Sequence, residues 1–304
     1  MSAVRVNDLQ GLRGKKSEPS NYEREAVNTQ PIQSFLATSS KAFVVLAACF
    51  LAIPVASATD LSGRAIMDQV AERHDKPFEF EVQKMRLIDR SGNEELRDVK
   101  RYAREVTEED THFLMAFHSP SGIRGTALLT WQHDNKDDDQ WLYLPAQGKK
   151  AKRVAKGGKK NYFMGTDYTF EDLISESRDK FTYNRLEDVV EEKRKLFVVE
   201  AFPKDESVKE ETGYKFRRMF IDQDIFFVMK TEYFDKRGRF IKRQTAHDVS
   251  QVDGKTYRAK KNIMKNKKLK HETHVTILER TFDESDVPEK LFNTRFITRN
   301  KHMR

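Results

Sequence analysis

The sequence predicts a mainly β (α+β) protein: a strongly curved antiparallel sheet, or half-barrel, of about eleven strands, with a few helices covering its concave face. Three observations predict it. Beyond Pro77, apolar and polar residues alternate with period two in one segment after another. Turn-forming residues separate these segments at hairpin spacing with no helix between them, so the strands follow one another antiparallel rather than through βαβ crossovers. An antiparallel sheet of that size must also curl or split.

The elements follow in order. Leu61, Ala65, Ile66 and Val70 recur at helical spacing over 60–73, with Asp60 or Ser62 available as N-cap. Phe78, Phe80 and Val82 then alternate with Glu79, Glu81 and Gln83, and a shift brings Met85 and Leu87 into the apolar phase. Ser91-Gly92-Asn93 supplies a turn, and a polar strand over 94–106 returns alongside. Further strands are predicted over 111–117, 126–132, 140–144, 181–187, 195–202, 214–221, 225–234, 239–248, 256–263 and 272–281. Three segments interrupt the series. Residues 148–160 form a basic loop. Residues 169–175 form a short helix that Thr169 caps, with Asp172 three residues on. A last helix begins at Asp286-Val287-Pro288-Glu289 and carries Leu291, Phe292 and Phe296.

The first 58 residues stand apart. Ala42 to Val55 is the one long apolar run; Lys41 precedes it and Ala56-Ser57-Ala58 follows. A basic flank, a short apolar core and an A-x-A site predict a cleavable secretory signal peptide, with Thr59 as the mature N-terminus. Two alternatives remain open: an uncleaved anchor, and acylation of Cys49 within Leu46-Ala47-Ala48-Cys49, which resembles a lipobox. Residues 59–304 are then expected to be one exported domain.

Composition narrows the function. The chain has 304 residues, 34% of them charged, and a net charge of +8. Its 21 Phe, 9 Tyr and 2 Trp are too many for a disordered chain, and a single Cys excludes a disulfide scaffold. Export removes it from cytoplasmic nucleic acid, so the basic excess is expected to face anionic lipid or water. No phosphate-binding glycine loop, nucleophile elbow or HExxH motif occurs, and neither an enzyme nor a cofactor is expected. His271-Glu272-Thr273-His274 is read as the surface of an edge strand, because an i,i+3 spacing on a strand sends the two rings to opposite faces. The acidic run at 134–139 lacks the glycine and ligand spacing of a calcium loop and is read as a solvated hairpin turn.

Two groups of residues remain as candidates for contact. Residues 149–160 hold seven cations and no acid; Lys149, Lys150, Lys152, Lys156, Lys159 and Lys160 are expected to form an unpacked loop that meets anionic membrane or an acidic partner. Aromatic, Met and other apolar side chains in the strand phases are core candidates. Some are expected to line an apolar cavity under the helices: Phe78, Phe80, Val82, Phe113, Met115, Phe117, Leu129, Trp131, Trp141, Tyr143, Phe163, Met164, Phe227 and Met229.

The order of several short segments is more specific. Pro120-Ser121-Gly122-Ile123-Arg124-Gly125-Thr126-Ala127-Leu128 is followed by Trp141-Leu142-Tyr143-Leu144-Pro145 and by Lys152-Arg153-Val154. Then come the FMGTDYTFEDL run from Phe163 to Leu173, Glu232–Gly238, Lys242, and Asn262, Met264 and Asn266. This succession resembles the LolA-like family of outer-membrane lipoprotein-sorting proteins over roughly 61–297. The resemblance implies a curved half-barrel plugged by helices, and a soluble carrier that shelters acyl chains of a lipid or lipoprotein for transfer toward the outer membrane. It also implies an association with exporters of the resistance-nodulation-division type, for which the chain would alternatively serve as a non-catalytic periplasmic adaptor.

Overall fold

A computed structural model describes residues 61–134 and 136–303. The predicted signal peptide, the A-x-A site and Cys49 lie outside the described residues. The chain forms helix α1 (Gly63–His74), then strands β1 (Phe78–Ile88), β2 (Glu94–Thr107), β3 (Asp110–Phe117), β4 (Ala127–His133), β5 (Asp139–Tyr143) and β6 (Lys152–Arg153). After the segment 154–180 come β7 (Phe181–Glu191), β8 (Arg194–Pro203), helix α2 (Glu206–Thr212), β9 (Tyr214–Asp222) and β10 (Val228–Asp235). The last strands are β11 (Phe240–Asp253), β12 (Thr256–Asn266) and β13 (His271–Thr281), and a short helix α3 (Thr294–Thr298) follows. All thirteen strands join one open antiparallel sheet in the order β6-β5-β4-β3-β2-β1-β13-β12-β11-β10-β9-β8-β7. Two meanders are thus sealed by the pairing of β1 with β13.

Local chemistry explains the boundaries. Ser62, rather than Asp60, caps α1 by accepting the Ala65 N–H at 3.2 Å. The Asp89 carboxylate accepts from the amides of Ser91 (2.7 Å) and Asn93 (2.9 Å), closing the β1–β2 turn around Gly92. Helix α2 falls where only a turn is predicted: Asp205 caps it through the Val208 N–H, and Gly213 (φ +75°) ends it in the left-handed region. Strand β10 begins three residues later than predicted. Asp222 accepts the Asp224 and Ile225 amides and Phe226 turns at φ +52°, so Ile225-Phe226-Phe227 is a turn and not a strand. The closing helix is broken: residues 284–291 make two single 3-10 turns before α3.

The sheet is curled, and side-chain contacts measure the curl. β5 and β11 are seven strand spacings apart, about 34 Å along a flat sheet. Gln140 of β5 nevertheless bonds the Phe170 carbonyl at 3.1 Å, while Lys242 of β11 pairs with Asp172. Those two anchors are only two residues apart, about 7 Å of chain. Segment 159–175 is therefore a lid clasped by both halves of the sheet.

Register divides the side chains into two faces. The inner face meets α1 and the lid. Phe163, Tyr168 and Phe170 of the lid fill one end of it against Met85, Leu87, Phe117, Leu128 and Met264. Helix α1 fills the other end, with Ile66 and Met67 on Val199, Met219 and Ile221. The predicted 286–297 helix was expected on the concave face as well, but that chain packs on the opposite, outer face. There Val287, Leu291, Phe292 and Ile297 cover Leu114, Leu129 and Tyr143. The C-terminal chain thus covers part of the outer face of β1–β5.

Candidate functional site: a charged cleft under the lid

Between the C-terminal end of α1 and the lid, the middle of the inner face is left unfilled. A cleft of about 370 Å³ opens there. Met85, Met115, Val275, Ile277, Leu173 and Phe227 form its apolar lining, and Glu79, Glu81, Gln83, Arg101, Arg258 and Arg280 stand on its floor.

The floor overturns the assignment of strand β1. Phe78, Phe80 and Val82 were expected to face the cavity. Instead Glu79, Glu81 and Gln83 point inward and are buried, while Phe78 and Phe80 pack with the outer-face cluster. The reason is the C-terminal cover, which gives the outer phase an apolar environment that periodicity cannot foresee. The inner carboxylates are ionically compensated. Arg258 grips Glu79 through Nε (2.9 Å) and Nη2 (3.2 Å), and Arg280 grips Glu81 through Nε (2.9 Å) and Nη2 (2.6 Å). The Gln83 amide donates to Glu81 at 2.6 Å. Burial pushes the Glu79 carboxyl up, but Arg258, Arg101 and Arg280 outweigh it and hold the group below the usual carboxylate range. His74 at the rim is held neutral: burial lowers it, Nδ1 accepts the Tyr257 N–H, and Nε2 meets the Ile225 carbonyl at 3.0 Å.

Of the fourteen apolar candidates, Met115 and Phe227 line the cleft. Phe113 lies near it, under the Arg101 guanidinium at 5.3 Å. Phe117 and Phe163 are wholly buried in the lid core, and Met164 packs against that core. Leu129, Tyr143, Trp131 and Trp141 belong to the outer cluster, and Met229 to a second outer cluster with Leu196 and Phe220. The six polar floor residues escaped the sequence reading. Their signal was the opposite phase of β1, Glu79-x-Glu81-x-Gln83, which gains meaning only once register sets Glu81 opposite both Arg101 and Arg280.

The basic segment is not an unpacked loop. Arg153 pairs with Asp139, Lys156 with Asp137 (2.9 Å) and Glu211 (3.5 Å), and Lys160 with Glu210 (3.4 Å). Lys159 is 2% exposed and lies 3.7 Å from both Asp138 and Glu211, so it cannot meet a membrane. Asp138 is itself buried, accepting from Lys180 and the His133 amide, so the acidic run is only partly a solvated turn. The acids come from β4–β5 and α2, elements distant in sequence. Lys149, Lys150 and Lys152 remain exposed, with no carboxylate partner among the described residues; Lys152 donates to the Gln147 side-chain oxygen at 3.1 Å. Nearby, Glu171 of the lid has its carboxyl pushed up to about 7 by burial, against the opposing pull of Lys159.

His271 and His274 do point to opposite faces, toward Asp167 (2.7 Å) and Glu272 (2.9 Å) respectively. Their strand β13 is not an edge, however; it pairs with both β1 and β12. The FMGTDYTFEDL run is lid architecture. Gly165 turns at φ +77°, Asp167 accepts from Thr273 and His271, and Thr169 and Asp172 cap each other reciprocally.

An open, curled antiparallel sheet whose inner face is plugged by a helix and a lid is the class of fold this chain shares with several solved structures. A family model described as that of an uncharacterized protein matches residues 109–299. The structure of a candidate outer membrane lipoprotein-sorting protein domain from Vibrio parahaemolyticus is similar, with a TM-score of 0.72 at 27% identity over 78% of this chain and 98% of that one. A DUF1329 family protein from Desulfovibrio piger shares the fold (TM-score 0.71, 21% identity, 76% and 95% covered). So does a LolA superfamily protein from Nitrosomonas europaea (TM-score 0.59, 18% identity, 76% and 97% covered). No curated protein matches the chain. The chain belongs to the LolA-like family.

Proposed function

We propose that this protein is a periplasmic carrier that shelters an acyl chain of a lipid or lipoprotein in the inner cleft and passes it on toward the outer membrane, without covalent chemistry. The observation that carries the reading is the cleft itself, open between α1 and the lid and lined on one side by Met85, Met115, Val275 and Ile277. Each methylene transferred from water to such a lining contributes about 0.8 kcal/mol. Loading and release would need the lid to shift, and the clasp of Lys242 on Asp172 is the contact that would have to yield. An adaptor without cargo is expected to have a filled interior, so the cleft favours the carrier.

The signal-peptide pattern supports export, with Thr59 as the mature N-terminus and Cys49 removed. The exposed cations Lys149, Lys150 and Lys152, without a carboxylate partner among the described residues, support contact with an anionic membrane surface. The test is mass spectrometry of lipids that co-purify with the exported protein, together with N-terminal sequencing. Stoichiometric acyl lipid and a Thr59 terminus are expected. A lipid-free protein that also fails to bind a fluorescent fatty-acyl probe would overturn the carrier reading, and a lipid-modified Cys49 would overturn the soluble periplasmic one.

A further inference from the structure

We infer that the cleft takes its cargo by an anionic head, an oxyanion received by Arg101. The inference rests on the carrier reading and names the head chemistry that reading leaves open.

The floor carries three cations, Arg101, Arg258 and Arg280, against two anions, Glu79 and Glu81. The other carboxylates of the lining do not restore the balance: Asp172 is committed to Lys242, and Asp75 stands exposed at the rim, nearest Arg178 at 3.7 Å. One positive charge is in excess on the floor of the cleft, on Arg101, whose side chain is 24% exposed and so open to an incoming anion.

The guanidiniums are not equivalent. Arg258 and Arg280 spend their donors on Glu79, Glu81 and the carbonyls of Tyr257 and Ala259. The Arg101 guanidinium makes no hydrogen bond among the described residues; its closest carboxylate oxygens are those of Glu81 at 3.7 Å and Glu79 at 3.9 Å. Its planar fork, resting on the Phe113 ring, is the geometry that receives a carboxylate or phosphate. Gln83 adds an independent sign. Its amide donates to Glu81, but Oε1 is buried with no donor among the described residues, an acceptor that a ligand O–H or N–H would satisfy. Arg101 lies directly across from Met115 in the β2–β3 register, and Met85 follows Gln83 by one inner position. The polar head site therefore passes straight into the apolar lining where a chain would lie.

A fatty acid carboxylate and a phospholipid phosphate share this oxyanion chemistry, and three probes of one chain length separate them: dodecanoate, dodecyl phosphate and dodecanol. Their affinities are measured by displacement of a naphthylamine fluorophore from the purified protein. At least one anion is expected to bind about tenfold more tightly than dodecanol. Preference for dodecanoate assigns a free fatty acid, and preference for dodecyl phosphate a phospholipid head. Arg101→Gln should abolish the preference while the protein still melts cooperatively and still binds dodecanol, and Arg101→Lys should restore part of it. Dodecanol binding as tightly as both anions, or a preference that survives Arg101→Gln, overturns the inference and leaves the carrier reading intact. If none of the three binds, both readings fall together.

Discussion

Lys242 and Asp172, seventy residues apart in the chain, form an ion pair from which water is excluded, their side chains 0% and 1% exposed. Burial pushes the Lys242 ammonium down and Asp172 opposes it. The ammonium also donates to the Asp167 carbonyl at 2.9 Å and sits among the rings of Tyr162, Tyr214 and Tyr233. Asp172 further accepts the Tyr214 hydroxyl at 2.9 Å. This pair fastens the lid to β11.

Lys242→Met should therefore cost about 3–5 kcal/mol, because it strands a buried carboxylate. Adding Asp172→Leu should return much of that loss. Chemical denaturation of both variants checks the order. A single variant as stable as wild type would show that the lid is not held here.

The basic segment divides into two classes. Lys149→Gln with Lys150→Gln should leave the thermal midpoint unchanged and weaken binding to anionic vesicles, an effect that fades as salt shortens the screening length. Lys159→Met should lower the midpoint, at a cost of about 1–3 kcal/mol, since Glu211 then loses its buried partner. Co-sedimentation at two salt concentrations and thermal melts read both.

Core and cleft substitutions should also separate. Leu129 is fully buried beneath the C-terminal cover, so Leu129→Ala should cost about 2–5 kcal/mol without a specific effect on ligand. Leu129→Asp should unfold the protein. Phe227 lines the cleft and is only partly buried, so Phe227→Asp should weaken binding of a fatty-acyl probe in a protein that still melts cooperatively. Loss of folding in the Phe227 variant is the contrary result.

Glu171 gives the protein a pH dependence of known sign. Its carboxyl titrates near 7 when folded against 4.5 ordinarily, so above pH 4.5 the unfolded chain ionises first. The stability it contributes is present below 4.5 and is lost as pH rises through 7, at about 1.4 kcal/mol per pH unit within that window. Glu171→Gln should flatten this part of the stability profile and make the variant the more stable protein at pH 8. Parallel profiles for the two proteins would show that the carboxyl is hydrated.

The alternation of apolar and polar residues, punctuated by turn chemistry, by itself determined that this chain is an antiparallel meander. Those signals are local and survive without knowledge of partners. They place twelve of the strands within a few residues, the exception being the two-residue edge strand β6, too short to carry a period. The Thr169–Asp172 hydrogen-bond pair was legible for the same reason, being a contact across three residues, although it closes a single 3-10 turn, Glu171–Leu173, and not the helix predicted over 169–175. Periodicity gives a strand two phases but does not say which faces the interior. In β1 that choice was made by the C-terminal chain some two hundred residues away, which covers Phe78 and Phe80 from outside and leaves Glu79, Glu81 and Gln83 to the cleft. The partners of the cations were likewise decided by tertiary structure: Glu81 meets Arg280 only because β1 pairs with β13, and Lys159 meets Asp138 and Glu211 only because the sheet curls beneath the lid. Charge pairing and burial are properties of distance in space. A sequence lists the charges, and the fold settles which of them meet.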